Sequence, residues 1–189
     1  MWDYNRNKRG TWPYEIKSIL DQCGLGDIFQ SLNPRGNNLT ACVNNELNLQ
    51  QQTDWEHSRI MPKLRNYNIV KTAWGVPSYV MKYLNRMERS HIAKMLSGNL
   101  PLRVETGRYR NIPLDNRICT NCNQHQVEDE IHFLTNCELY SDLRATLVES
   151  HNIDLTIDNK FELFSLICKS VPPKTLAQYI ITVMQRRAS

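Results

Sequence analysis

Cys119-Thr120-Asn121-Cys122-Asn123-Gln124-His125-Gln126-Val127-Glu128-Asp129-Glu130-Ile131-His132-Phe133-Leu134-Thr135-Asn136-Cys137 sets four metal-ligating side chains in the spacing Cys-x2-Cys-x9-His-x4-Cys. Two cysteines separated by two residues grip a tetrahedral ion from one tight turn, and zinc favours four such sulfur and nitrogen ligands. His132 and Cys137 then have to arrive from a second element. Val127, Ile131 and Leu134 recur at helical spacing, so that element reads as a short helix carrying His132, with Cys137 just past its end. Glu128, Asp129 and Glu130 fall in its first turn, where carboxylates suit the helix dipole. They read as a solvated helix start rather than as a catalytic divalent-metal site. With Cys119, Cys122, His132 and Cys137 all engaged, no coordination position is left for water or substrate, so the zinc is structural. Its work is to hold a segment whose own core is too small. Two other readings of these residues stay open. Cys119 and Cys122 could form a redox pair, although the strand–helix context of such pairs is missing. His125 could replace His132, although it lies close to Cys122 for a second arm.

Outward from this cluster the pattern is helical. Trp12, Ile16, Ile19, Leu20 and Cys23 repeat at helical spacing between Thr11, a candidate N-cap, and Gly24, a stop. Asp27 starts a short turn through Ile28, Phe29 and Leu32, and residues 34–38 read as a loop. A long helix is predicted from Leu39 toward Ile60, with Val43, Leu47 and Trp55 on or near one face, ended by Pro62. Pro77 opens a segment in which Val80, Tyr83, Leu84, Met87, His91, Met95 and Leu96 share a face of one or two helices, closed by Gly98. Residues 99–117 read as irregular and basic. Three more helices are predicted over 138–150, over 160–169 and after Pro172-Pro173, a good helix entry. No stretch alternates as a strand does. The predicted fold class is all-α, an irregular helical bundle with a small structural zinc module. Its parts are an N-terminal helical region (1–104), a basic loop with the zinc module (105–144) and C-terminal helices packing on the rest (145–189).

At 189 residues and 41% hydrophobic composition the chain can bury a real core. No window is apolar enough to span a membrane, and the charges at Asp3, Arg6, Lys8 and Arg9 have no apolar run behind them. The expectation is an intracellular, soluble protein of nucleus or cytoplasm with no membrane partner. Six cysteines in a reducing compartment argue for thiols rather than disulfides, and Cys23, Cys42 and Cys168, standing apart, read as small core residues. Net charge is +4 and unevenly spread. Residues 81–117 carry eight basic and three acidic side chains, and residues 118–168 carry two basic and nine acidic ones. The two segments either attract one another or present opposite faces to different partners.

Glu105-Thr106-Gly107-Arg108-Tyr109-Arg110-Asn111-Ile112-Pro113, then Arg117-Ile118-Cys119-x2-Cys122, then Glu128 to Leu134, Cys137, Tyr140 and Leu143-Arg144 together resemble one region. It is the zinc-binding segment that follows the polymerase in non-LTR (LINE-type) retrotransposon reverse transcriptases. Residues 12–29 resemble the helices upstream of that segment, and residues 159–187 the closing ones. The resemblance implies a post-polymerase module that helps hold template RNA or target DNA, with a parent polymerase domain as a further partner. Reverse transcriptase and endonuclease activities belong to parts of such proteins that these residues do not match. The chain has no Tyr/Phe-x-Asp-Asp motif and no two adjacent aspartates.

Three functions are set against each other. The first is a non-catalytic, zinc-stabilised helical module that binds RNA or DNA through Arg103, Arg108, Tyr109, Arg110 and Arg117. Arginines there would contact phosphate and an exposed tyrosine would stack on a base. The second is a scaffold domain that docks on a polymerase domain or another protein, which exposed apolar residues near Trp12, Trp55 or Trp74 would favour. The third, an enzyme in its own right with a small-molecule substrate, finds no nucleophile elbow, phosphate loop or paired catalytic set in its support.

Overall fold

The computed structural model describes residues 8–22, 24–31 and 39–188, and these are all-α. Cys23, Leu32 and the expected loop at 34–38 lie outside the described residues, as does the side chain of Cys42. In chain order the helices are α1 (Trp12–Gln22), α2 (Gly26–Ser31), α3 (Leu39–Ser58), α4 (Arg65–Val70) and α5 (Arg86–Leu96). There follow α6 (Arg103–Tyr109), α7 (Glu130–Thr135), α8 (Ser141–Glu149), α9 (Lys160–Ser170) and α10 (Pro173–Ala188). A lone antiparallel bridge between Ile118 and Val127 is the β-type pairing among the described residues. No helix among them is long and apolar enough to cross a membrane. The chain divides into two units, Met1–Ser58 and Arg59–Ser189.

In the first unit the Thr11 hydroxyl donates to the Lys8 carbonyl at 2.7 Å, and α1 begins at the next residue. Gly24 ends that turn at φ 69°, a conformation that favours glycine. α2 packs on α1 and buries Ile28 and Phe29. Helix α3 stops at Ser58, ahead of Pro62, and its polar stretch 48–53 is exposed while Val43, Leu47 and Trp55 are half-buried.

The second unit is built around α7. All six of its residues, Glu130 to Thr135, are buried. Phe133 sits edge-on against Tyr140, with ring centroids 5.5 Å apart, and against Tyr179 at 6.5 Å. Helix α9 packs on α7, α10 crosses α5 and touches α8, and α4 rests against α5 and α9. Phe164, Ile167, Leu176, Ile180 and Val183 close the core from the C-terminal helices. Fully burying side chains of this kind contributes roughly 1.5–3 kcal/mol each before the entropy cost of ordering them.

Two expectations change here. The helix placed after Pro77 starts only at Arg86, because Asn85 forms a reciprocal cap with Glu88: the Asn85 side chain accepts from the Glu88 amide at 2.9 Å, and Glu88 accepts from the Asn85 amide at 2.8 Å. The buried face is therefore Leu84, Glu88, Ile92, Met95 and Leu96, while Val80, Tyr83 and Met87 are exposed. Gly98 does close α5, at φ 66°. The second change is α6, which lies in the stretch read as irregular. Its N-terminus has no side-chain cap from Leu102. Glu128 caps it from 25 residues away, its carboxylate accepting from the Arg103 amide at 2.9 Å and its carbonyl from the Val104 amide at 3.0 Å.

Candidate metal centre and its basic flank

The first two ligands sit on a tight hairpin. The Cys119 amide donates to the Gln126 carbonyl at 2.8 Å and the Glu128 amide to the Arg117 carbonyl at 3.0 Å. These two bonds fold Cys119-x2-Cys122 back toward the start of α7. His125 turns the chain at φ 51°, points outward and takes no part in the cluster. Asp129 caps α7, its side chain accepting from the His132 amide at 2.8 Å. The Cys137 amide returns to the His132 carbonyl at 2.9 Å, which fixes the last ligand beside the third.

Cys119, Cys122, His132 and Cys137 thus converge, their ligand atoms all within 4.8 Å of one another. Cys119 Sγ and Cys137 Sγ are 3.9 Å apart, and Cys122 Sγ lies 3.4 Å from His132 Nε2. A disulfide needs about 2.05 Å, so these are thiols, not a bridge. The edges of a tetrahedron around zinc, with bonds of about 2.3 Å to sulfur and 2.05 Å to nitrogen, come to roughly 3.8 and 3.6 Å. The donor set fits a four-coordinate metal. No disulfide joins these cysteines or Cys168, which packs against the core.

Burial governs the donors' protons. It raises the Cys119 thiol, pushes Cys137 up to about 12 with help from the neighbouring thiols, and lowers His132. A cation bound here would meet an imidazole that burial favours as neutral and would displace the protons that burial holds on Cys119 and Cys137. One nearby charge bears on the fit. Arg144 is buried, its Nη2 donates to the Cys137 carbonyl at 3.0 Å, and no carboxylate pairs with it among the described residues. A lone buried guanidinium is costly. Three thiolates and an imidazole around a divalent ion carry a net charge of −1, which offsets it.

The acidic run is not a solvated helix start. Glu128 and Glu130 are 2% and 0% exposed. Glu128 accepts two hydrogen bonds from Arg187, at 2.8 and 2.9 Å, besides one from Asn121 at 3.3 Å. Glu130 takes Asn66 at 2.9 Å and Arg65 at 3.2 Å, yet burial still raises its carboxyl. The partners come from the two ends of the unit, too far along the chain for any local pattern to reveal.

The five side chains proposed to touch nucleic acid fall into two groups. Arg117 is tied down, Nε donating to the Ile112 carbonyl at 2.9 Å and Nη1 to the Val104 carbonyl at 2.6 Å. Arg108 bridges Glu105 at 2.8 Å and the Tyr109 hydroxyl at 3.1 Å, with its guanidinium 4.9 Å from the Tyr109 ring centre. Tyr109 is 72% exposed and its hydroxyl donates to Glu105 at 2.9 Å. Burial pushes the Glu105 carboxyl up, but the Tyr109 hydrogen bond and the nearby Lys63 and Arg108 charges outweigh it and hold the carboxyl below its ordinary value. Arg103 and Arg110 make no side-chain hydrogen bond or ion pair among the described residues. A cleft of about 270 Å³ opens beside them, and Arg117 and Arg187, the latter unmarked by any sequence motif, complete its lining.

No protein-family model matches the chain, and neither a curated protein nor a solved structure matches it.

Proposed function

We propose that the chain is a non-catalytic, zinc-stabilised helical module that binds RNA or DNA, of the kind that follows the polymerase in LINE-type retrotransposon reverse transcriptases. The observation that carries the reading is the pairing of a closed Cys3His cluster with uncommitted arginines, Arg103 and Arg110, on the helix tied to its hairpin through Glu128. Zinc is the metal that a tetrahedral set of three sulfurs and one nitrogen suits best. Every ligand position is protein, so the ion serves the fold. Nucleic acid is favoured because arginines meet phosphates and the exposed Tyr109 offers a ring to a base.

The test is metal content of the purified chain by mass spectrometry, then titration with single-stranded RNA and DNA at about 50 and 200 mM salt. One zinc per chain and binding that falls steeply with salt are expected. A metal-free, folded chain would sink the zinc claim, and zinc without binding would sink the nucleic-acid claim. In the same series Cys119→Ser/Cys122→Ser should lose the metal and the cooperative melt of the second unit, since α7 is its core; an unchanged melting temperature refutes the clip.

A second reading has its own support. Ile60, Met61, Trp74, Val76, Met81 and Tyr83 are exposed apolar residues in the second unit. Such a surface favours docking on a protein partner, for instance a polymerase domain. Zinc with concentration-dependent self-association and no nucleic-acid affinity would select it.

A further inference from the structure

We infer that the cleft between α6, the Ile112 turn and the C-terminal end of α10 is a seat for a backbone phosphate of a nucleic-acid strand. This rests on the nucleic-acid reading above and assigns the place where the strand is held.

Arg103, Arg110, Arg117 and Arg187 all line the cleft, and no acidic side chain does. Glu128 answers only one of these charges, that of Arg187, and the like charges left over repel, so the arrangement is one that an anion would relieve. Two of the four are fixed in advance. Arg117 spends Nε on the Ile112 carbonyl and Nη1 on the Val104 carbonyl, and Arg187 spends Nε and Nη2 on Glu128. Each keeps one terminal nitrogen without a partner among the described residues. The buried Glu128 is committed on both oxygens, to Arg187, to Asn121 and to the Arg103 amide. It anchors the site without entering it.

Gly107 makes the packing possible. A Cβ there would lie 2.8 Å from Arg117 Cγ and 2.9 Å from Cδ, so only glycine lets the Arg117 stem lie flat on α6. Arg103 and Arg110 then stand at the rim with nothing to hold them, which suits side chains that close on a ligand. A strand is favoured over a free phosphate by Tyr109. It sits on the same helix, one face round from the residues that line the cleft, is 72% exposed and is held by Glu105 and Arg108, so a strand running on from the phosphate seat around α6 has a ring to stack on. Arg117 also opens the metal hairpin, whose Glu128 amide bonds its carbonyl, so the cleft keeps its shape only while that hairpin is folded.

The probe is a fluorescein-labelled 12-nucleotide single-stranded RNA, read by anisotropy against the metal-loaded full chain from about 50 to 200 mM salt. Arg103→Ala/Arg110→Ala removes only the unengaged arginines, so its melting temperature should match the parent's. Its affinity should fall by roughly tenfold or more, and the slope of log K against log salt should flatten by about 1.4, two single-strand contacts. Arg89→Ala/Lys94→Ala makes the same charge change on the exposed face of α5 and should weaken binding no more than about threefold. Equal losses in the two variants would overturn the cleft while leaving the nucleic-acid reading intact. No binding by the parent would overturn both. Displacement of the RNA by micromolar inorganic pyrophosphate would overturn the strand assignment and identify a small-phosphoanion site.

Discussion

Glu128→Gln isolates the contact that joins the metal hairpin to the last helix. The glutamate side chain is 3% exposed and that of Arg187 is 24% exposed. Its two oxygens accept from Arg187 Nε and Nη2 at 2.8 and 2.9 Å, from the Arg103 amide at 2.9 Å and from Asn121 at 3.3 Å. Glutamine keeps the volume but one acceptor, and it turns the other oxygen into a donor facing a guanidinium. Two hydrogen bonds to a charged group are lost, at roughly 1.5–3 kcal/mol each. Breaking a fully buried pair costs about 3–5 kcal/mol, and Arg187 can recover part of that by turning toward water. A net loss of about 2–3 kcal/mol follows, which for a unit of this length is a fall of roughly 6–12 °C in melting temperature. Urea and thermal unfolding of the metal-loaded chain, followed by circular dichroism at neutral pH, measure it. A cycle with Arg187→Met separates the pair from the lost amide contact, and the double variant should be less destabilised than the two singles added together. A loss below about 0.5 kcal/mol, the size of an ordinary surface substitution, would refute the burial of Glu128 and return the acidic run to solvent.

Gly107→Ala runs against helix propensity, which would favour alanine by about 1 kcal/mol. Because the added Cβ meets the pinned Arg117 stem at 2.8 Å, we expect destabilisation of about 1 kcal/mol instead, and a raised melting temperature would show that Arg117 is not packed there. The Arg186 guanidinium holds the Asp142 carboxyl down at about 2, from an ordinary 3.8. A depressed carboxyl stabilises the fold above its unfolded value and loses that contribution as pH falls, so the melting temperature should drop between about pH 4 and 2. Arg186→Met should flatten that limb, and an identical acid profile in both proteins would exclude the pair as its cause. Arg144→Leu should weaken zinc about tenfold in competition with a chelator, because the centre's negative charge loses its buried counter-ion. Unchanged zinc affinity would assign Arg144 to packing alone.

The metal cluster was legible because its information is local. The spacing of four ligands, the apolar step from Val127 through Ile131 to Leu134 and the position of His132 on a short helix all lie within one segment, and the structure brings them together as read. The termini set by Gly24, Pro62, Gly98 and Pro173 were legible for the same reason. What could not be read depended on distant partners. Helix α6 is capped by Glu128, and no pattern in residues 99–110 signals that. Glu128 and Glu130 look solvent-bound until Arg187, Arg65 and Asn66 arrive from 59 to 65 residues away. Residues 77–85 kept an apolar character without forming a helix, since Asn85 starts a better one. The bundle was visible in the hydrophobic periodicity, whereas α4, with only Tyr67, Ile69 and Val70 to announce it, was not.

The lopsided charge along the chain follows from the same distant pairing. The acidic stretch 118–168 does not lean on the basic stretch 81–117 through side-chain ion pairs among the described residues; Glu128, Glu130 and Asp142 take Arg187, Arg65 and Arg186. The buried Arg144 stands beside Cys137 with no carboxylate, where the negative charge of an occupied thiolate centre would answer it. The buried Glu128 and Glu130 are thereby matched by charges brought from other elements, as low-dielectric surroundings demand. The basic stretch is released from that duty. Of its arginines, Arg108 is shared with Glu105 and Arg117 with two carbonyls, and Arg103 and Arg110 remain uncommitted. A surplus of positive charge at the cleft, with the nearest carboxylates, Glu128 and Glu130, buried and paired, is what a polyanion would meet there. It arises because Arg187 of the last helix and Arg65 of α4 pair with Glu128 and Glu130 and leave the arginines of α6 free of that duty.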